Sequence, residues 1–210
     1  MLFRLAVLGI LAWTIAASPV HAAVVGDASV PYSATRIVTV NGKIYEGKVF
    51  HTPGKQRHDA DINGIPMVFI LDIAHRDGVV ALPMLNSYVD IPLPPLMAEL
   101  DRRKLERDAV GEDRVNGMRA TKYRVDYTAS DGSHGEGLIW LSRDNILLKL
   151  NGRITRAHHH KPMIVSMRLD DLKLGPQPKD LFLIHNGLHK IPYEALELLF
   201  NMRAPKRRDK

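Results

Sequence analysis

Apolar and polar residues alternate along most of this chain. Thr121, Tyr123, Val125 and Tyr127 fall on one side of an extended segment, with Lys122, Arg124 and Asp126 on the other. Met163, Val165, Met167 and Leu169 repeat the pattern against Ser166, Arg168 and Asp170. A period of two marks antiparallel strands with one dry and one wet face. From Tyr32 to Leu174 such segments follow one another, separated by turn dipeptides. Asn41-Gly42, between Tyr32–Val40 and Lys43–Phe50, is the strongest hairpin signal. Pro53-Gly54, Asn63-Gly64, Asp77-Gly78, Asn116-Gly117, Asp131-Gly132 and Asn151-Gly152 continue the punctuation. The segments between include Ile65–Asp72, Val79–Leu85, Met118–Thr128, Gly135–Leu141, Ile146–Arg156 and Pro162–Leu174. Short connections predict a meander in which neighbours pair in sequence order. A sheet of so many strands must curl, and a curled sheet encloses either a packed core or a cavity.

Helical signals are few. After the rigid lead-in Pro92–Pro95, the stretch Leu96–Arg107 places Leu96, Met97, Leu100 and Lys104 at helical spacing. A second short helix is expected from Tyr193 to Met202, with Leu196, Leu199 and Phe200 on one side and Glu194 and Glu197 in its first turns.

The N-terminus carries a different pattern. Met1–Ala22 has one early charge, Arg4, then an apolar run from Leu5 to Ala17, a break at Pro19, and small residues at Val20-His21-Ala22. This reads as a secretory signal peptide, cleaved near Ala22. The run is well short of the roughly 20 apolar residues that span a bilayer. The expected product is periplasmic, exported unfolded because no Arg-Arg pair precedes the run. Residues 23–210 then form one domain, large enough to be stable without staples. The chain has no Cys, which removes disulfides, thiol chemistry, cysteine-ligated metals and an N-terminal lipid anchor.

The formal charge of +6 is concentrated at one end. Five basic residues and one acidic residue occupy Arg203 to Lys210, leaving a nearly neutral body. That is not the basic stripe of a nucleic-acid-binding face. The tail is expected to be disordered; attraction to anionic head groups is the functional alternative.

Candidate chemistry is thin. Within His158-His159-His160 only His158 and His160 share a strand face, and no helix supplies an H-E-x-x-H spacing, so a polar loop is expected and no metal site. Asp170-Asp171 and Glu112-Asp113 are adjacent carboxylates facing opposite ways, which does not build an acid–base pair. Ser130, Ser133 and His134 are explained by turn composition. There is no nucleophile elbow and no phosphate loop, so neither an enzyme nor a cofactor is expected.

What remains is apolar inventory. Met67, Phe69 and Leu71 form one strand face, Val80, Leu82 and Met84 another, and Leu138, Trp140, Ile146, Leu148 and Leu150 continue the set. Such residues fill a core or line a cavity. Eight Met residues favour adaptable apolar contacts, and 6% aromatic content gives little bulk to fill a large barrel.

Three segments in order carry a family resemblance. Val110-Gly-Glu-Asp-Arg-Val-Asn-Gly-Met-Arg-Ala-Thr-Lys-Tyr-Arg-Val125 has a Gly-Glu/Asp opening, a Gly turn and a returning Lys-Tyr strand. Gly135–Lys149 reads as a tryptophan strand, a short turn and an Ile/Val strand, and Val79–Ile91 as an apolar strand leading to Tyr88 before a helical insertion. Together they resemble the LolA/LolB-like superfamily of periplasmic lipoprotein carriers over roughly Tyr32 to Pro192. The resemblance implies an unclosed antiparallel β-barrel, a half-barrel meander with one or two short helices as lid or plug. It also implies a concave face that binds acyl chains or other hydrophobic ligands. The implied ligand-binding residues are Met67, Phe69, Leu71, Leu82, Met84, Tyr123, Val125, Tyr127, Leu138, Trp140 and Leu148, with Leu96, Met97 and Leu100 as lid. No amphipathic helix lies between Ala23 and Pro31, which points to a divergent lipid-binding relative rather than the carrier itself. The expected partners are a hydrophobic ligand or lipid, with contact to a membrane surface or an envelope protein. The same fold without a small ligand, as an envelope interaction or stress-sensing module, is the alternative. The C-terminal helix is expected to plug one end of the barrel.

Overall fold

The computed structural model describes residues 16–17, 24–25, 27–62, 64–73, 75, 77–92, 106–128, 132–156 and 161–196. Twelve strands form one sheet. In chain order they are β1 (Tyr32–Val40), β2 (Lys43–Thr52), β3 (Lys55–Asp61), β4 (Pro66–Asp72), β5 (Asp77–Leu82), β6 (Ser87–Pro92), β7 (Glu106–Val115), β8 (Met118–Thr128), β9 (His134–Leu141), β10 (Leu147–Thr155), β11 (Met163–Leu174) and β12 (His189–Lys190). Ala16–Ala17 pairs separately with Val24–Val25.

The spatial order is β12-β6-β5-β4-β3-β2-β1-β11-β10-β9-β8-β7. Two meanders, β1–β6 and β7–β11, are therefore joined side by side through the antiparallel β1–β11 pair. Pairing in sequence order holds within each meander and fails between them: β6 and β7, consecutive in the chain, lie toward opposite edges of the sheet. The sheet is unclosed, as the resemblance implies.

Turn chemistry explains most boundaries. Asn41 and Asn116 sit at φ 49° and the glycines after them at φ 83° and 81°, the paired positive φ values of a tight hairpin turn. Asn41 also clamps the seam between the meanders. Its Oδ1 accepts from the Ile164 N–H at 2.8 Å, and its own N–H donates to the Ile164 carbonyl at 2.9 Å. Two dipeptides expected as turns lie inside strands instead. Asp77-Gly78 opens β5, and Asn151-Gly152 sits within β10, where Gly152 pairs directly with Gly137. There the glycines serve close backbone approach rather than a turn.

Curvature comes from irregular register. Shifts interrupt β7–β8 at Lys122/Tyr123, β9–β10 at Trp140/Leu141 and β11–β1 at Asp170/Lys173, where Asp171 takes φ 52°. Such bulges bend a strand and increase its twist. The β7–β8 tip extends past the paired ends of β9 and β10, and Asn116 Nδ2 donates to the Leu169 carbonyl at 2.8 Å and to Asp170 Oδ1 at 2.9 Å on β11. The second meander is thus drawn around onto the seam.

Helix is confined to short pieces. Residues 193–196 are helical, which places the start of the expected C-terminal helix, and Leu196 is buried in the core. A 3-10 turn at Lys179–Phe182 is tied to the sheet's outer face where Arg57 Nη1 donates to the Leu181 carbonyl at 3.1 Å. The expected lid residues Leu96, Met97 and Leu100, the His158–His160 run, most of the leader and the basic tail lie outside the described residues. Glu106 and Arg107, read as the end of the lid helix, begin strand β7 instead. Among the described residues no helix is long and apolar enough to cross a membrane.

Candidate functional site: the inner face of the curved sheet

Register assigns the faces, because directly paired residues share one side. One inner row runs Tyr123, Ile139, Leu150, Met167, Val38 and Tyr45. A neighbouring row runs Ala34, Val49, His58, Phe69, Val80 and Val89. These rows run through the core. Met67, Phe69, Leu71, Leu82 and Leu148 are all buried on this side, within one continuous cluster.

Cover thins toward β8. Tyr123, Val125 and Tyr127 face inward but are only half-buried, packed against the edge of the core. Beside them the inner face carries almost no side chains: Val125 pairs with Gly137, which pairs with Gly152, and Tyr127 pairs with Gly135. Ile154 and Met163, both half-buried, complete this shallow, glycine-floored apolar area.

Leu138 and Trp140 alternate with Ile139 and so occupy the outer face. Trp140 is buried there rather than inside, its Nε1 donating to Asp113 Oδ2 at 2.9 Å and Lys149 Nζ lying 4.7 Å from its ring centre. The Trp140 hydrogen bond, with the Arg114 N–H, holds the Asp113 carboxyl below the usual carboxylate range. Met84 sits in the 3-10 turn Pro83–Leu85 and is 65% exposed. The sheet therefore gathers Met67, Phe69, Leu71, Leu82, Leu148, Tyr123, Val125 and Tyr127 on one face; alternation puts Leu138 and Trp140 on the other, still in contact with the buried cluster, and Met84 in an exposed turn.

The inner face also holds polar residues that the apolar inventory passed over. Tyr32, Arg36, His51, Gln56 and His58 are all buried. Tyr32 stacks on the His51 ring with centres 4.9 Å apart. His51 contacts the Val30 carbonyl through Nδ1 at 3.2 Å and Asp27 Oδ1 through Nε2 at 3.4 Å. Burial opposes ionisation of Asp27, but the His51 contact and the Gly54 N–H at 3.0 Å outweigh it and hold its pKa below the ordinary value. His58 Nε2 meets Gln56 Oε1 at 3.1 Å, while its Nδ1 has no partner among the described residues. Burial pushes the Tyr32 hydroxyl up to about 12 and the Arg36 guanidinium down to about 10. A signal for this inlay exists in the sequence. Arg36 interrupts the inward series Tyr32, Ala34, Val38, Val40, and β3 (Lys-Gln-Arg-His-Asp-Ala-Asp) lacks an apolar face although both its neighbours have one.

His58 gives a pH prediction. Burial, and then the charges of Arg36 and His51, hold its pKa well below 6.5. Below about pH 6.5 the unfolded chain takes up a proton that the folded protein refuses, so the unfolded state binds more protons and stability falls as pH drops. The slope from this group approaches ~1.4 kcal/mol per pH unit. Urea titrations between pH 7.5 and 5 are expected to show the loss in the wild type and a flatter profile in His58→Phe; equal slopes would mean that His58 is solvated.

The outer face offers lesser candidates. Asp126, His134 and Glu136 bring ligand atoms within 4.8 Å of one another, but Glu136 is already paired with Arg153. His134 Nδ1 lies 3.2 Å from Thr128 Oγ1. Asp170 and Asp171, the adjacent carboxylates of the sequence, are structural: Asp170 holds Arg168 and Asn116, and Asp171 accepts from Thr35 at 3.2 Å. A cavity of about 390 Å³ opens between Ile70, Val79 and Asp90 on the sheet and Phe182 and Ile184 of the following turn.

No family model matches the sequence, and no curated protein does. Solved structures do share its shape. An uncharacterized conserved protein from Thermus thermophilus matches at 15% identity with a TM-score of 0.53, covering 78% of this chain and 91% of that one. A LolA superfamily protein from Nitrosomonas europaea is similar over 74% of this chain and 91% of its own, at 10% identity and a TM-score of 0.40. MucB in the Pseudomonas aeruginosa MucA/MucB complex is similar at 17% identity with a TM-score of 0.48, covering 76% of this chain. This chain spans 57% of the length of that one. At these identities the likeness is one of fold.

Proposed function

We propose that this protein is an exported periplasmic binding protein whose curved sheet holds a hydrophobic ligand or lipid on its inner face, without catalysis. The observation that carries the reading is the change of cover along that face. The first meander is closed and packed, whereas Tyr123, Val125, Tyr127, Ile154 and Met163 line a half-covered apolar strip around Gly135, Gly137 and Gly152. An acyl chain laid there gains about 0.8 kcal/mol per buried CH₂ without needing any polar contact. Residues 1–22 serve as the leader and 23–210 as a single domain.

The test is native mass spectrometry of the protein purified from the periplasm without detergent, followed by organic extraction. The expected result is a chain beginning at Ala23 that carries, or takes up, one apolar molecule such as a fluorescent fatty acid. A clean apo mass with no uptake would overturn the reading.

A second reading has one observation in its favour. Strand β7 is a ten-residue edge with one side unpaired among the described residues, a surface to which a partner strand could add. Its charges, among them Asp108, Glu112, Asp113 and Arg114, are of the kind that blunt an edge against such pairing. The ligand reading is therefore preferred.

A further inference from the structure

The row of inner-face residues that crosses the seam between the two meanders runs Leu148, Leu169, Arg36, Gly47, Ala60 and Met67. A guanidinium stands at its centre. Arg36 is 8% exposed, and no hydrogen bond or ion pair to its side chain is found among the described residues. Its neighbours toward β3, Gly47 and Ala60, carry little or no side chain, so the row is lowest beside the charge. One row over lies His58, buried, with an unpartnered Nδ1. The carboxylate associated with this inlay, Asp27, is already engaged by His51 and the Gly54 N–H.

A buried cation with no counter-ion among the described residues is in a costly position unless an occupant pairs with it. Five N–H donors in a rigid fork match a carboxylate or phosphate better than any neutral group. The surroundings specify the rest of the occupant: along its own row Arg36 is flanked by apolar residues, Leu169 toward β11 and Met67 toward β4. We infer that Arg36, assisted by His58, receives the anionic head group, a carboxylate or phosphate, of an amphiphile whose hydrocarbon lies along the inner face. The inference rests on the ligand-binding reading above and names the ligand class for that site.

The experiment compares palmitate with hexadecanol, which share a chain and differ in the charge of the head, by calorimetric titration of the full periplasmic protein. Wild type is expected to bind palmitate about tenfold or more tightly than hexadecanol, the scale of one charge-assisted hydrogen-bonded contact. In Arg36→Met the ratio is expected to fall to about one, and Arg36→Lys, which keeps the charge but loses the fork, is expected to lie between. Arg36→Met is also expected to melt at the same or a higher temperature, because it removes a buried charge that has no counter-ion among the described residues. A lower melting temperature would assign Arg36 to the scaffold and overturn the inference. If both probes bind wild type equally, the head-group role fails and the apolar site stands. If neither binds, both fail. Inorganic phosphate or acetate is expected not to displace palmitate at millimolar concentration; displacement would reveal a site for free anions and not for an amphiphile.

Discussion

Phe69→Ala is expected to destabilise the protein by about 3–5 kcal/mol, the range for removing a buried phenyl ring. Phe69 is 1% exposed and sits between His58 on β3 and Val80 on β5, in the middle of the closed meander. Two effects add: the ring's transfer energy is lost, and its neighbours cannot collapse into the gap because both are fixed by strand pairing on either side. At the 2–4 °C per kcal/mol typical of a domain this size, the melting temperature drops by roughly 10 °C. Met84→Ala is the control, since that side chain is 65% exposed and its loss is expected to cost no more than ~0.5 kcal/mol. The measurement also bears on function. A loss below about 1 kcal/mol would mean that the first meander is loosely filled, and would extend the ligand strip across the whole inner face.

Gly137→Ala is the second large effect. A Cβ at Gly137 would lie 2.3 Å from the Asn151 carbonyl oxygen and 2.7 Å from Gly152 Cα. Both are backbone atoms, so no side chain can swing away and β9 must separate from β10. The cost is expected near 3 kcal/mol, the upper part of the range for overpacking, read as a shift in the urea midpoint at constant m-value. Gly135→Ala, at the next inward position, meets only Ile154 Cγ1 at 3.9 Å and is expected to change stability by no more than ~0.5 kcal/mol. Similar losses in both would show that helix or strand propensity, not strand separation, sets the effect.

Much of this fold is written locally. Asn41-Gly42 and Asn116-Gly117 impose their turns through backbone sterics alone, and the alternation of Thr121–Thr128 and Met163–Asp170 declares which residues share a face. The binding candidates were only partly legible for the same reason: alternation says that Ile139 and Trp140 face opposite ways but not which of them faces inward. Trp140 is the larger apolar residue and belongs outside, because Asp113 and Lys149 on flanking positions give its ring a hydrogen bond and a cation. The inlay was missed for a different reason. Gln56 and His58 look solvent-facing in a strand as polar as β3, and only burial against Phe69 and Leu71 on the neighbouring strand makes them interior.

By itself the sequence determined many of the strands, the Asn-Gly turns at 41–42 and 116–117, the absence of thiol chemistry and the two-faced character of the sheet, because each of these depends on residues within a few positions of one another. Tertiary structure alone decided that β11 returns to β1, that β6 and β7 part to opposite sides of the sheet, and that Arg36 comes to rest with Gly47 and Ala60 in the middle of the inner face. The first of those outcomes depends on pairings across more than a hundred residues, whose free energy comes from the buried surface they create together and not from any one segment.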